Sequence, residues 1–144
     1  MGISIRSPKT DREWETYYDL RYRILREPLG KDRGSERNEG DATGIHFALY
    51  DNDELKAIAR LDHAGESNAQ VRFVAVETEL QGIGYGRQIM EATEISAKKA
   101  GSTKMILHAR DYAVDFYLKL GYEIIEPSYK LFDVLQHYLM EKRL

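Results

Sequence analysis

Apolar and polar residues change rhythm several times along the chain, and each change marks an element. Ile3 and Ile5 alternate with polar neighbours, which predicts a short first strand. The spacing then becomes helical. Trp14, Tyr17, Tyr18, Arg21, Ile24 and Leu25 recur at helical steps, with Thr10 and Asp11 as candidate caps. This helix should run to about Arg26, where Pro28, Leu29 and Gly30 stop it. Arg21 lies on its apolar stripe, so if it is buried there it needs a partner. Residues 31–44 are charged, contain glycines and show no apolar period, and they read as a mobile loop.

Three short apolar runs follow at 45–50, 55–61 and 69–76, separated by polar turns at 51–53 and 64–68. Such runs and turns predict an antiparallel meander. A connector at 77–82 leads into a helix over 84–100. Ile89, Met90, Thr93, Ala97 and Ala100 share one stripe of it, and Gly101 lies just past its end. A strand at 104–109, a helix from Asp111 to about Leu120, and strands at 122–126 and 137–142 complete the chain. The order β-α-β-β-β-α-β-α-β-β predicts an α/β fold with a mixed sheet. No repeat, linker or low-complexity tract interrupts it, so residues 1–144 read as a single domain.

Composition acts on this picture by exclusion. Lys and Arg number 21 against 24 Asp and Glu, a net charge of −3, which argues against broad binding to nucleic acid. There is no cysteine, hence no disulfide, no thiol nucleophile and no cysteine metal site. No apolar run approaches the ~20 residues needed to span a bilayer, and the first residues lack a signal peptide's apolar stretch. The expectation is a cytoplasmic protein with no membrane partner. The 4 histidines show neither H-x-H nor H-E-x-x-H spacing, so no metal site is expected.

The chemistry is concentrated at 71–87, VRFVAVETELQGIGYGR, where an apolar strand meets a loop with Gly82, Gly84 and Gly86 and a helix opens at once. Glycines at alternate positions bring bare backbone close to a ligand. The first amides of the helix lack partners and carry the positive end of its dipole. Together they suit a phosphate or pyrophosphate. Rossmann spacing fails from Gly82, because the third site is Arg87, and from Gly84, because it is Ile89. No Walker lysine is present. What fits is Gln81-x-x-Gly84-x-Gly86 after Val74, Ala75 and Val76.

That segment resembles the pyrophosphate loop of the GNAT family of N-acetyltransferases. A second segment, Arg110 through Tyr122, looks like the family's other signature, with Ala113 followed by Tyr117 and then Gly121 and Tyr122. The stretch from Leu20-Arg21 to Pro28-Leu29-Gly30 is similar to the opening of a bacterial branch of that family. The resemblance covers nearly the whole chain. It implies a mostly antiparallel sheet whose fourth and fifth strands splay apart, flanked by helices, and acetyl-CoA as co-substrate. Val74, Ala75 and Val76 would offer backbone groups to the pantetheine amides. Gln81, Gly82, Ile83, Gly84, Tyr85, Gly86 and Arg87 would wrap the pyrophosphate. Tyr117 would lie near the cofactor sulfur and protonate the leaving thiolate, although it reads equally well as a core tyrosine beside Phe116.

Two positions depart from the family pattern. Arg110 stands where many members carry a cofactor-touching Asn, and it would reach the cofactor, an anionic acceptor, or Asp111 or Asp115. Gln70 stands where histone-acetylating members carry a Glu base, and it cannot take a proton. Glu77, Glu66, His63 and His108 are the substitutes that sequence position suggests, with Glu77 nearest the strand end. The reaction implied is direct transfer in a ternary complex, without an acyl-cysteine.

The acceptor, a small-molecule or peptide amine, would meet the first helix, the loop at 31–44 and the segment 127–137. Arg21, Arg23, Arg26, Tyr17, Tyr22 and Tyr129 fall in these regions. Their arginines would hold a carboxylate or phosphate, or simply form a solvated helix face. Two other readings stay open: a non-catalytic acyl-CoA-binding module, motivated by Gln70, and a phosphate or nucleotide binder of another kind. Self-association as a homodimer is left open.

Overall fold

In the computed structural model, which describes residues 2–144, the first helix forms where the spacing predicts it. Helix α1 spans Asp11–Leu25, and the Thr10 side chain accepts the Glu13 amide at its start. The strands are β1 (Ile3–Arg6), β2 (Ile45–Asp51), β3 (Glu54–His63), β4 (Asn68–Val76), β5 (Lys104–Arg110), β6 (Glu123–Leu131) and β7 (Leu135–Arg143). Helix α2 is Tyr85–Lys99 and helix α3 is Val114–Lys119, the latter preceded by a 3-10 turn at Asp111–Ala113.

The strands form one sheet in the order β1-β2-β3-β4-β5-β7-β6. Every neighbour is antiparallel except β4 and β5, which are parallel because α2 crosses between them. Strand alternation splits the core into two layers. Ala48, Tyr50, Ile58 and Ala75 pack with Tyr17, Leu20 and Leu25 of α1 on one face. Leu49, Ala57, Ala59, Leu61, Val71, Met105 and Leu107 pack with Ile89, Met90 and Ala97 of α2 on the other.

Two differences from the sequence reading have clear causes. Strand β6 runs to Leu131 rather than stopping near Glu126. It is the edge strand, where Pro127 removes no interior ladder bond, and its register slips between Pro127 and Lys130. Residues 31–44 are not a free loop. Arg21 and Arg60, both fully buried, reach into them. Arg21 donates to Asp41 at 2.8 Å and to the Glu36 carbonyl at 3.2 Å. Arg60 donates to Asn38 at 2.7 Å, to Asp41 at 2.8 Å and to both oxygens of Asp62. Burial alone would raise the Asp41 carboxyl, but the bonds from Arg21 and Arg60 outweigh it and hold it below its ordinary value. Gly40 lies so close that a Cβ there would meet the Arg60 guanidinium at 2.5 Å.

Candidate active site

Strands β4 and β5 pair only from Asn68 opposite Lys104 to Gln70 opposite Ile106. Beyond that they part, although β4 continues to Val76 and β5 to Arg110. The edge of β4 that faces β5 is therefore open from Val71 onward. The Gln81 side-chain amide donates to the Val76 carbonyl at 3.2 Å. An open edge inside a fold is a ready partner for an extended amide-bearing chain.

A bulge adds to the parting. Arg72 pairs with Arg60 and Ala75 with Ile58, so Phe73 and Val74 together oppose Ala59. Phe73 has φ +56°, a strained value for a bulky residue. Its ring is hemmed by guanidiniums, with Arg21 at 4.3 Å, Arg60 at 4.9 Å, Arg72 at 5.2 Å and Arg26 at 5.7 Å from its centroid. The extra residue reverses the strand's facing. Ala69 and Val71 belong to the α2 layer, whereas Ala75 belongs to the α1 layer.

A cleft of about 1310 Å³ occupies the parting. That exceeds the upper range for a drug-sized ligand, roughly 1,000 Å³, and leaves room for a long cofactor and an acceptor together. At one boundary stands the start of α2. Its N-cap is Gly84 at φ +106°, with no side-chain cap and no acid in the first turn, so its first amides are free for an anion. Gly86 lets that turn approach α3, since a Cβ there would meet the Phe116 ring at 3.0 Å.

Val74, Ala75, Val76, Gln81, Gly82, Gly84, Gly86, Arg87, Arg110 and Tyr117 all line this one cleft. Gln70 lines it too. Ile83 and Tyr85 do not; Ile83 is exposed, and the Tyr85 hydroxyl donates to Asp51 at 2.7 Å, tying α2 to β2. Glu77 is also outside the cleft. Both its oxygens accept from Arg23 at 2.9 Å, and Arg23 also holds Asp19, so this carboxylate is engaged beside α1. His63 and Glu66 lie outside as well.

His108, on β5, does line the cleft, and its Nδ1 is buried with no hydrogen-bond partner among the described residues. Burial, and then the charge of Arg72, push its pKa below the ordinary 6.5, so the imidazole is neutral at pH 7. Burial likewise pushes the Tyr117 phenol up, against the opposing charge of Arg110. Tyr129 stacks on His137 at 4.4 Å and leans on His108 at 5.4 Å, walling the cleft from the β6–β7 side.

Sequence reasoning missed Arg72, Phe73 and Arg60. The signal for Arg72 was a charge inside an otherwise apolar run just before the glycine loop. Nothing marked Phe73, because phenylalanine has no preference for positive φ.

A family model described as "Acetyltransferase (GNAT) domain" matches residues 27–144. A Bacillus subtilis protein assigned as an acetyltransferase is 24% identical over 144 residues, covering 98% of this chain and 97% of that one. A crystal structure assigned as an N-acetyltransferase of Lactobacillus plantarum superposes with a TM-score of 0.87 at 24% identity, covering 100% of this chain and 99% of that one. The PaiA N-acetyltransferase of Thermoplasma acidophilum, in complex with coenzyme A, superposes with a TM-score of 0.79 at 16% identity over the full length of both chains.

Proposed function

The chain belongs to the acetyltransferase (GNAT) family and is an acetyl-CoA-dependent acyltransferase; on that footing we propose that it transfers the acetyl group directly to a primary amine held between β4 and β5. The observation that carries this reading is the parting of those strands beside an uncapped helix start, with Tyr117 and His108 in the same cleft. When bound, acetyl-CoA supplies the thioester. The free amides of Gly86 and its neighbours hold its pyrophosphate, and the open edge of β4 at Val74, Ala75 and Val76 pairs with its amide-bearing arm. A backbone N–H of β4 polarises the thioester carbonyl. The amine nitrogen bonds to the acetyl carbon as the carbon–sulfur bond breaks. Tyr117 gives its proton to the departing sulfur, and His108 takes the proton that the amine loses.

His108 fills the role that Gln70 cannot. Of the four substitutes suggested by position, it alone lines the cleft, and Glu77 is engaged by Arg23. An imidazole that lines the cleft and is neutral at pH 7 favours turnover over a purely cofactor-binding module. The pH profile tests this. A group that must be neutral, with its pKa below 6.5, makes kcat/KM fall only as pH drops through that lower value. Arg72→Gln removes a charge that opposes protonation of His108, so the acid limb should move to higher pH. His108→Gln should abolish the limb and lower kcat. A limb unchanged in both variants assigns the proton to another group.

A further inference from the structure

Arginines at the end of α1 and on β3, β4 and β5 fall into two groups. Arg21 and Arg60 are neutralised by Asp41 and Asp62, and Arg23 by Asp19 and Glu77. Arg26, Arg72 and Arg110 line the cleft with no carboxylate within ion-pair distance among the described residues. Two of them converge on one atom: the Leu25 carbonyl at the end of α1 accepts from Arg26 at 3.2 Å and from Arg110 at 2.8 Å. Arg26 spends one more donor on the Ser35 carbonyl, and Arg110 one on the Tyr112 hydroxyl. The Arg72 side chain makes no hydrogen bond among the described residues, and its guanidinium stands 5.2 Å from the centre of the Phe73 ring.

Among the described residues the cleft offers these cations no unengaged carboxylate. Its carboxylates are Glu91 and Glu94, both on α2. Glu91 is taken by Arg87, and Glu94 by Lys142 and the Tyr122 hydroxyl. The imidazoles beside the arginines are neutral; for His137 burial outweighs the opposing bond to the Leu135 carbonyl, and the charges of Arg110 and Arg26 push the same way as burial. Burial, followed by repulsion from Arg110, also lowers the Arg26 guanidinium, which places the two charges within reach of each other. Half-buried like charges without counterions are costly unless a ligand supplies the opposite charge. Guanidinium forks suit a carboxylate or phosphate, whereas a polycationic acceptor would be repelled.

We infer that the acceptor is an anionic amine, whose own carboxylate or phosphate is held by Arg26, Arg72 and Arg110 while its amino group faces the parting of β4 and β5. This rests on the acetyl-transfer reading for the amine, but the anion site can be tested separately from it.

The test uses the full chain and matched amines. Glycine, β-alanine and glutamate are each compared with their methyl esters, O-phosphoethanolamine with ethanolamine, and spermidine is added as a polycation. Thiol release from acetyl-CoA gives kcat/KM, and calorimetry on the CoA-loaded protein gives acceptor binding. The anionic member of at least one pair should exceed its neutral partner at least tenfold, with spermidine poorest. The carboxylate and phosphate pairs show which anion is preferred. Arg72→Gln should reduce that ratio at least tenfold, and Arg72→Lys should restore part of it. Charge-selective binding without turnover would leave the anion site standing and defeat the acetyl-transfer reading alone. Equal use of neutral and anionic partners, or no binding of any anionic amine, would overturn the inference. So would an Arg72→Gln variant that loses CoA affinity and keeps its charge preference, because the arginines would then serve the cofactor.

Discussion

Tyr117 shows what a single side chain contributes. Its ring lies edge-on to Phe116 at 4.9 Å and to Tyr122 at 5.9 Å, so packing fixes its direction. Burial holds its phenol protonated across the neutral range, which suits a group that donates to a departing sulfur. Tyr117→Phe keeps the ring and removes the proton. We expect kcat to fall about a hundredfold while CoA affinity stays nearly constant, read by thiol release beside calorimetry. Equal turnover would remove Tyr117 as the acid. Tyr117 was legible in the sequence because a motif surrounds it. His108 was one name among four, since position along a strand does not say which residues face a cleft. Arg72 showed only as a charge inside an apolar run and Phe73 not at all, because their placement depends on a one-residue bulge that no local propensity announces.

Elements explain why the site holds its shape. The bulge in β4 and the ordered segment at 31–44 are coupled through Arg60, which pairs with Arg72 across the strands, packs over Phe73 and binds Asn38 and Asp41. The sequence showed β3 as an apolar run, and a fully buried arginine inside it was invisible until its partners came together from 22 and 19 residues away. For the same reason a segment with no apolar period reads as mobile when ion pairs anchor it. Arg60→Met would leave Asp62 unpaired and weaken the grip on Asp41. We expect a loss of about 3 kcal/mol in stability, measured by denaturant unfolding, together with faster proteolysis within 31–44. An unchanged midpoint would deny Arg60 its structural role. The start of α2 gives a second prediction. Gly84→Glu sets a side chain at φ +106° and a negative charge at free helix amides, so calorimetry should show CoA affinity reduced by at least a hundredfold. Unchanged affinity would move the pyrophosphate elsewhere.

For the whole molecule, the order of elements was readable from hydrophobic rhythm, and the mostly antiparallel sheet and the splay of its fourth and fifth strands were expected from the resemblance carried by two short motifs; the strand order, with β7 between β5 and β6, was not. The net charge of −3 conceals a cleft that gathers unneutralised arginines, because acids predominate elsewhere on the chain. No described helix is long and apolar enough to cross a membrane. The same parting of strands that opens the β4 edge also brings the α2 start, Tyr117, His108 and the arginines to one cavity. Acetyl transfer to an amine is therefore proposed for this one cavity. It is tested most directly by incubating the protein with acetyl-CoA and the amine panel, following free thiol and the mass of each amine together. Thiol should be released in step with an amine that gains one acetyl group, and only when an acceptor is present. Thiol released without an acetylated amine, or no binding of CoA, would contradict it.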